Sequence, residues 1–455
     1  MIADLKPYPE YKESGLPWLG QVPGHWCQRR MKFLFKERTQ KGFPAEPLLA
    51  ATQSKGVVRK EDYGSRTVTA MNGLENLKLV EVGDFVISLR SFQGGIEVSH
   101  ARGIISPAYT VLRPREDFEP RYFKAYFKSA DFIRSLTLFV TGIREGQNID
   151  YERLSRAFMP LPPPDEQVAI VRFLDWANGR LERAIRAKRK VIALLNEQKQ
   201  AIIHRAVTRG LDPSARLKPS GIPWVGDIPK HWEVRRAKYV FREIDQRSVD
   251  GRETHLAMSQ RLGLVPSNQV SSSLRSQSYA GGKLCQSGDL ILNRLKAHLG
   301  VFAMARQAGV ISPDYTVFRS LRPTRVEYFE SVLRSPGCRH ELRIRAKGIV
   351  EGFWRLYTDD FYDIRLPVPP FEEQGRIVSG MLEATSALNG TISRLEREIE
   401  LLREYRTRLV TDVVTGKLDV RDAAVRLPDE APLDTVEDDP DLGEEAEAAD
   451  EEAAA

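Results

Sequence analysis

One stretch of this chain occurs twice. SGLPWLGQVPGHWCQRRMKFLF at 14–35 returns as SGIPWVGDIPKHWEVRRAKYVF at 220–241, a displacement of 206 residues. The displacement persists further along, because ISPAYTVLR at 105–113 recurs as ISPDYTVFR at 311–319. A period this long exceeds the roughly 20–50 residues of solenoid repeats, so each copy is large enough to form a domain of its own. We therefore predict two half-proteins in tandem, related by an internal pseudo-two-fold axis.

Each copy changes character where consecutive prolines occur. PPPDEQ at 162–167 and PPFEEQ at 369–374 place two acidic residues where the positive first turn of a helix stabilises them. Apolar residues then follow with a heptad period, which predicts two long helices that pair as an intramolecular coiled coil. Because the second helix must run back along the first, we expect an antiparallel pair. Asn178 and Arg406, polar residues in the seam, are expected to fix its register.

The sequence before each helix consists of short apolar runs separated by Gly, Pro, Asn and Asp, as in LVEVGDFVISLR at 79–90, which is typical of short strands. We predict an α+β fold class: two pseudo-symmetric mixed α/β domains separated by an antiparallel two-helix coiled coil. The predicted segments are a first domain at 1–161, a spacer helix at 162–210, a second domain at 211–367, a second spacer helix at 368–418 and a disordered acidic tail at 419–455.

The charge is distributed unevenly along the chain. The formal net charge is +6, but residues 429–455 contain 13 Asp or Glu and no Lys or Arg, which leaves +19 for the preceding residues. Such a basic body is typical of a protein that binds a polyanion. Two interpretations of the tail remain open, because it is either a solubilising appendage or a weak competitor for the basic surface.

Motifs for nucleotide and metal chemistry are absent from the sequence. No GxGxxG and no GxxxxGK[ST] occurs, since GGK at 281–283 continues with Leu284. VPPF at 368–371 carries Val368 where amino-methyltransferases need Asp or Asn, and His340-Glu341 lacks the second histidine of a zinc helix. We therefore expect a chain that is not an enzyme and holds no cofactor or metal of its own.

The lack of a membrane or export signal, together with the cysteine pattern, predicts a cytoplasmic protein. No run of about 18 apolar residues exists, and the N-terminus has no hydrophobic signal core. Cys27, Cys285 and Cys338 are far apart and form no CxxC pair, so reduced, buried thiols are expected.

The repeated Pro-Trp and His-Trp pairs suggest a structural role. Trp18, His25 and Trp26 recur as Trp224, His231 and Trp232 among apolar neighbours. We predict that they pack each domain against a helix end.

The duplicated order of these motifs resembles the specificity subunit of type I restriction–modification systems. The resemblance covers Ser14 to about Val420 and rests on motifs that occur in the same order in both copies. These are PW.G..P.HW, ISP.YTV, a glycine-bearing loop, and PP..EQ before a long helix that ends in VTRGLD (207–212) or VTGKLD (414–419). The resemblance implies two target-recognition domains, each reading half of a split sequence in double-stranded DNA. It also implies that the helices space the domains and dock two methyltransferase subunits.

The resemblance assigns the chemistry to partners. Methyltransferase subunits would bring S-adenosylmethionine for adenine methylation, and two restriction and translocase subunits, where present, would cleave DNA with ATP and Mg. This chain would be the non-catalytic part that selects the site.

Candidate DNA-binding residues lie in polar stretches of each copy. Arg can bond guanine and Gln or Asn can bond adenine, while Lys and Arg also bind phosphates. The candidates of the first copy are Lys55, Arg59, Lys60, Arg66, Arg90, Ser91 and Gln93. Those of the second are Ser259, Gln260, Arg261, Asn293, Arg294, Lys296 and His298. The glycine loops at 142–148 and 346–352 either approach DNA or simply turn the chain.

Two alternative functions were weighed against DNA recognition. A self-contained methyltransferase or nuclease would need a cofactor motif, and none is found. A coiled-coil scaffold that binds no DNA would fit a neutral or acidic body, whereas this body is basic.

Overall fold

A computed structural model describes residues 5–53, 55–63, 73–89, 91–115, 118–141, 148–259, 262–270, 278–347 and 355–428. The chain divides into two compact units. Unit 1 consists of Met1–Lys188 and Arg397–Asp434, and the described part of unit 2 is Arg189–Glu396. Each unit therefore combines one globular region with segments of both long helices.

Unit 1 is built from short strands and short helices. Its strands are Tyr11–Glu13 (β1), Gln21–Pro23 (β2), Cys27–Arg30 (β3), Phe35–Arg38 (β4), Leu49–Thr52 (β5), Gly56–Arg59 (β6), Lys78–Val80 (β7), Phe85–Ile87 (β8), Glu97–Val98 (β9), Gly103–Ile105 (β10), Thr110–Pro114 (β11), Val140–Thr141 (β12), Asn148–Ile149 (β13) and Phe158–Leu161 (β14). Its helices before the spacer are Met31–Leu34 (α1), Ser91–Gly94 (α2), Pro120–Phe127 (α3), Ala130–Leu136 (α4) and Tyr151–Ser155 (α5). The first spacer helix is Pro164–Arg209 (α6), of 46 residues.

A four-stranded antiparallel sheet forms the centre of unit 1, in the order β4-β11-β8-β9. Its larger core packs aromatic side chains such as Phe35, Phe85 and Phe127 against α3, α4 and α6. A smaller core, which includes Leu49, Val57 and Val86, lies under the pairs β5-β6 and β7-β10. Unit 1 is therefore a mixed α/β domain with two lobes.

Unit 2 repeats this architecture. Its strands are Leu217–Pro219 (β15), Asp227–Pro229 (β16), Glu233–Arg236 (β17), Phe241–Ile244 (β18), Leu256–Ser259 (β19), Gly263–Pro266 (β20), Lys283–Cys285 (β21), Leu290–Asn293 (β22), Phe302–Met304 (β23), Gly309–Ile311 (β24), Tyr315–Ser320 (β25) and Arg365–Val368 (β26). Its helices are Val326–Leu333 (α7), Pro336–Arg345 (α8) and Thr358–Tyr362 (α9), followed by the second spacer helix Phe371–Val414 (α10) of 44 residues. A last short helix, Arg421–Val425 (α11), belongs to unit 1.

The sheet order of unit 2 is β18-β25-β22-β23, which matches the order in unit 1 element by element. It also has two cores, one facing the spacer helices and one under the hairpin β19-β20. The fold class predicted from the sequence is confirmed, because two related α/β regions are joined to a pair of long helices.

The spacer helices pair antiparallel within each unit. In unit 1, Glu182 of α6 accepts a hydrogen bond from Arg406 of α10 at 3.1 Å, while Lys188 pairs with Glu398. Residue numbers therefore rise along α6 in the direction in which they fall along α10, as in an antiparallel pair. In unit 2, Val207 near the end of α6 shares a core with residues at the start of α10. The polar seam residue Arg406 thus has an ion-pair partner on the opposite helix, as expected for a residue that fixes register.

The duplicated His-Trp signature holds the start of each spacer helix. In unit 1 the carboxylate of Glu166 is 4 % exposed and accepts hydrogen bonds from Trp26 Nε1 at 2.7 Å and from Tyr8. His25 Nε2 lies 2.7 Å from the same carboxylate. Burial, with Glu166 beside it, raises the pKa of Tyr8, so its hydroxyl stays protonated. The prediction of packing against a helix end is confirmed for His25 and Trp26, whereas Trp18 lies edge-on to Phe139 at 5.9 Å.

Unit 2 contains the same arrangement without a counterpart of Tyr8. Glu373 of α10 accepts a hydrogen bond from Trp232 Nε1 at 2.9 Å, and His231 Nε2 lies 2.7 Å from it. Ser214, which the displacement of 206 residues aligns with Tyr8, instead bonds Asp212 at 2.7 Å. Glu166 and Glu373, together with their Trp and His partners, are called the helix clasps below.

The residue after each clasp glutamate ties the helix to the globular region. Gln167 donates to Pro162 O at 2.7 Å and accepts the Glu119 N–H at 2.8 Å. Gln374 repeats both bonds with Pro369 O at 2.9 Å and the Arg325 N–H at 2.9 Å. The EQ pair of the sequence motif therefore fixes the domain at the N-terminal end of its helix.

A buried tyrosine fixes the domain to the other helix. Tyr122 donates its hydroxyl to Val414 O at 3.0 Å, and Tyr328 donates to Val207 O at 3.0 Å. Both side chains are fully buried, which raises the pKa of each phenol. Each globular region is thus anchored to the first turn of one spacer helix and the last turn of the other.

Two glycines at the ends of the spacer helices give a matched test of these anchors. Gly416 has φ +78°, and a Cβ there would lie 2.3 Å from Pro23 Cδ, whereas Gly210 has φ +73° with Trp232 at 3.3 Å. We expect Gly210→Ala to cost about 1 kcal/mol from the left-handed backbone and Gly416→Ala about 3 kcal/mol because overpacking is added. Chemical denaturation of both variants measures the difference; equal losses would contradict the packing of Gly416.

Residues 419–428 are folded, although the predicted acidic tail begins at residue 419. They pack in unit 1, where Val420, Ala424 and Leu427 are at most 5 % exposed. Asp419 also donates its N–H to Lys6 O at 2.8 Å. The apolar side chains of this segment pack in the core of unit 1. Residues 429–455 lie outside the described part of the chain.

One of the three thiols differs from expectation. Cys285 and Cys338 are buried, and burial raises the pKa of the Cys285 thiol to about 11. Cys27 is exposed, because it lies on the outer face of β3 at the edge pair β3-β14.

Candidate nucleic-acid interface

The Gly-Asp turn before the strand β8 is a structural element in both units. Asp84 is buried and accepts a hydrogen bond from Arg38 Nε at 2.6 Å. Asp289 is its counterpart and accepts two bonds from Arg319, each at 2.8 Å. Both carboxylates are already paired, so their role is to place β8 and β22. The residues that follow those strands therefore lie at equivalent positions in the two units.

Three segments meet after β8 in unit 1. Lys128 Nζ donates to Gln53 O at 3.2 Å, in the turn of the β5-β6 hairpin, and to Gly94 O at 2.9 Å, at the end of α2. The same ammonium pairs with Glu97. Burial raises the pKa of Glu97, although Lys128 opposes that rise. Helix α2 also lies against β13, at the base of the glycine loop.

Unit 2 brings the equivalent segments together by other contacts. Strand β20 of the β19-β20 hairpin packs on β23, which follows the 3-10 turn Arg294–Leu299. Leu356 donates its N–H to Arg294 O at 3.1 Å. The backbones of Lys347 and Arg355 form an antiparallel bridge across the base of the glycine loop. In both units the hairpin, the turn after the Gly-Asp strand and the described base of the glycine loop lie close together, and we call this region the convergence surface.

The candidates of unit 1 divide into exposed and inward-facing residues. Lys55 lies in the hairpin turn, where its N–H bonds Thr52 Oγ1 at 2.9 Å. Arg59 ends β6 and pairs with exposed Glu61 at 3.7 Å, and Lys60 begins the next 3-10 turn. Gln93 is exposed on α2. Lys55, Arg59 and Gln93 are exposed, and Lys60 is half-buried.

Ser91 of unit 1 faces inward. It is 2 % exposed, and its Oγ accepts the Ser88 N–H at 2.8 Å. Asn293 in unit 2 behaves similarly, since it is 8 % exposed and its Oδ1 accepts the Leu295 N–H at 3.2 Å. In this structure both side chains hold the turn that carries their neighbours.

The remaining described candidates of unit 2 are partly engaged with the protein. Arg294 Nε donates to Asp314 O at 2.9 Å, and Ser259 Oγ accepts the Leu262 N–H at 3.3 Å. Lys296 lies at a kink of the 3-10 turn with φ −118° and ψ 21°. Its backbone therefore turns between the two halves of that segment.

Several sequence candidates lie outside the described residues. These are Arg66, Arg90, Gln260 and Arg261, together with most of both glycine loops. The side chain of His298 is also outside the description. Their assignment as DNA contacts stays a prediction, as does that of the described candidates.

The sequence analysis missed two cationic residues at the loop base of unit 2. Lys347 and Arg355 are both exposed, and Lys347 is paired with Asp360 at 2.7 Å. The usable signal was the second glycine loop itself, because Lys347 lies at its start and Arg355 follows its end closely. Lys128 of unit 1 was also missed, since its contacts join segments that are distant in sequence.

Two other kinds of feature, a membrane span and a metal site, have no counterpart among the described residues. No helix there has both the length and the apolar character to cross a membrane. No group of three or more His, Cys, Asp or Glu side chains is arranged to hold a metal ion in the described ranges.

Comparison with known proteins identifies a shared fold. No family model matches the chain, and no curated protein matches it either. A solved structure described as the structural basis of complex assembly and conformational transition of the type I R-M system matches with a TM-score of 0.59. The two chains are 16 % identical, and the match covers 87 % of this chain and 99 % of the other. The chain thus has the fold of that protein over most of its length.

Two crystal structures give lower scores. The HsdS subunit from Thermoanaerobacter tengcongensis is 16 % identical, with a TM-score of 0.42 over 89 % of this chain and 100 % of its own. The Type-I restriction-modification system S subunit from M. genitalium is 12 % identical, with a TM-score of 0.33 over 90 % and 98 %.

Proposed function

We propose that this chain is the non-catalytic DNA-recognition subunit of a type I restriction–modification complex. Each unit would read one half of a bipartite, asymmetric DNA site. The observation that carries the proposal is the duplication of one framework with different side chains. The clasps, the Gly-Asp turn and the convergence surface recur in both units, while the candidate residues on that surface differ.

Charge and fold support the same proposal. The +19 charge of residues 1–428 favours binding to DNA phosphates, with release of counterions. Gln93 on the unit 1 surface can bond adenine, and Arg294 on the unit 2 surface can bond guanine. Different side chains on the corresponding surfaces of the two units would read different bases, which makes the combined site asymmetric.

The partners follow from the proposed class of complex. Two methyltransferase subunits would dock on the spacer helices and supply S-adenosylmethionine for adenine methylation. Two restriction and translocase subunits would add ATP- and Mg-dependent cleavage. The similarity to a protein whose structure concerns assembly of a type I R-M system supports this choice of partners.

The test compares single variants in the reconstituted complex. We expect Gln93→Ala to relax base preference at one position of one half-site by about 1–3 kcal/mol of discrimination, and Arg294→Ala to do so in the other half. Arg59→Ala, a phosphate contact, should instead weaken binding to all sequences and lower the salt slope by about one. Selection from random duplexes, with binding measured at several salt concentrations, gives both quantities.

Two outcomes would contradict the proposal. Methylation by the purified chain alone with S-adenosylmethionine would show that it is an enzyme. A change in both half-sites caused by Gln93→Ala would show that the units do not read DNA independently.

A further inference from the structure

Unit 1 carries a surface of exposed cations that the proposed function does not use. It follows the segment from β3 to β4 and the adjoining end of β11. Its members are Arg30, Lys32, Lys36, Arg113 and Arg115, all exposed and none paired with a carboxylate of a described residue. We call this set the cationic ridge. Phe33, which is 52 % exposed, lies in its middle.

The ridge is contiguous. Lys36 of β4 lies directly opposite Arg113 of β11, and Arg115 donates its N–H to Leu34 O at 3.0 Å. Arg30 stacks over the Phe158 ring at 5.3 Å, and Lys32 lies over Phe33 at 5.1 Å. Like charges opposite one another on a sheet are destabilising, so the ridge favours a bound polyanion.

A nearby acid does not neutralise the ridge. Glu37 follows Lys36, but successive side chains of a strand point to opposite faces, and its carboxylate pairs with Lys78 at 3.6 Å. The convergence surface lies at the other end of β11. There Thr110 pairs with the last residue of β8, whereas Arg113 is near the opposite end of the same strand. The ridge is therefore a separate surface of unit 1.

The equivalent surface of unit 2 is largely neutralised. Arg236, the counterpart of Arg30, pairs with Asp363 at 3.4 Å. Arg319, the counterpart of Arg113, is held by Asp289, and the counterpart of Arg115 is Leu321. Of the counterparts of the five ridge residues, Lys238 and Arg242 are the two cations that pair with no carboxylate of a described residue. The duplication thus kept the framework while the charge balance diverged.

The unit with the unpaired ridge is also the unit from which the acidic segment leaves. Leu427 is buried in the unit 1 core, and its carbonyl accepts a hydrogen bond from Arg172 at 3.0 Å. Residues 429–455 then contain 13 Asp or Glu and no Lys or Arg. A chain of that length spans roughly 30 Å as a coil, more than the radius of gyration of about 17 Å for a unit of this size. The segment can therefore reach the ridge.

We propose that residues 429–455 dock on the cationic ridge of their own chain. The carboxylates would pair with the five cations, and an aliphatic residue such as Leu433 or Val436 would cover Phe33. With this segment bound, the ridge would no longer bind another polyanion. This proposal is independent of the DNA-recognition function, because the ridge and the convergence surface are different sets of residues.

Zero-length carbodiimide cross-linking of the full chain tests the proposal directly, since it joins carboxylates to lysines in contact. Arg426 is the last basic residue, so trypsin releases the acidic segment as one C-terminal peptide. We expect this peptide to be linked to Lys32 and Lys36. The yield should fall by about tenfold when salt is raised from 0.05 M to 1 M, because the screening length falls to about 3 Å.

A matched pair of variants separates the ridge from general charge effects. Arg30→Ala/Arg113→Ala/Arg115→Ala keeps both lysines and should lower the cross-link yield by about fivefold, since exposed ion pairs contribute modestly. Arg236→Ala/Arg242→Ala/Arg322→Ala removes the same charge from unit 2 and should leave the yield unchanged. Equal effects of the two variants would overturn the proposal.

Three further outcomes would also overturn it. Links to Lys55 or Lys60 in place of the ridge lysines would place the segment on the convergence surface. Links found only between isotope-labelled and unlabelled chains would assign the ridge to a second copy. Protection of Lys32 and Lys36 from acetylation by a random-sequence duplex, without cross-links to the segment, would assign it to DNA.

Discussion

Replacing Trp26 by alanine is expected to lower the free energy of unfolding of unit 1 by about 4 kcal/mol. The side chain is fully buried, and removing a buried aromatic ring costs about 3–5 kcal/mol. The substitution also takes a hydrogen-bond donor away from the buried carboxylate of Glu166. Native-state hydrogen exchange read peptide by peptide measures the loss in each unit separately.

Two companion variants control this experiment. Trp26→Phe keeps most of the ring but removes the donor, so we expect a smaller loss of about 1–3 kcal/mol. Trp232→Ala should produce the large loss in unit 2 and leave the exchange of unit 1 unchanged, because Trp232 and Glu373 belong to the other clasp. A loss spread equally over both units, or one below about 1 kcal/mol, would contradict the anchoring role of the clasps.

Lengthening both spacer helices by one heptad is expected to add about three base pairs between the two half-sites. Seven residues inserted after Lys188 and seven after Glu396 add about 10.5 Å of helix, and B-DNA rises 3.4 Å per base pair. The insertions lie at the division between the units and away from both clasps. A whole heptad keeps the seam with only about 20° of drift. Both half-site sequences should stay the same.

The methylated sequence in cells that carry the variant gives the result. An active complex with the original spacing would show that the helices do not determine the distance. A single insertion in α6 is the control: it puts the two seams out of register, because the helices pair antiparallel along both units. We expect that variant to lose activity without acquiring a new spacing.

Much of the fold could be read from the sequence because it depends on local, periodic patterns. The repeat at 14–35 and 220–241 required two copies of one domain, and the heptads required two paired helices. The His-Trp pairs were correctly interpreted as packing against a helix end. In each case the information lies in the spacing of residue types along the chain.

Pairing between distant residues was decided by the tertiary structure. Asp84 is held by Arg38 from β4, whereas its counterpart Asp289 is held by Arg319 from the strand equivalent to β11. Ser91 looked like a contact residue in the sequence, but its hydroxyl caps a turn. A polar residue after a strand can face solvent or its own backbone, and only the three-dimensional turn selects between them.

Two related halves, two antiparallel helices and a basic body with an acidic end could all be inferred from the order of residues. Periodicity and composition are properties of the chain, so they need no knowledge of what lies nearby in space. Which cations are neutralised, in contrast, depends on the folded structure. Arg113 and its counterpart Arg319 occupy the same strand position, yet among the described residues only Arg319 meets a carboxylate. Electrostatic pairing falls off over a few ångströms, and such distances exist only after folding has brought remote segments together.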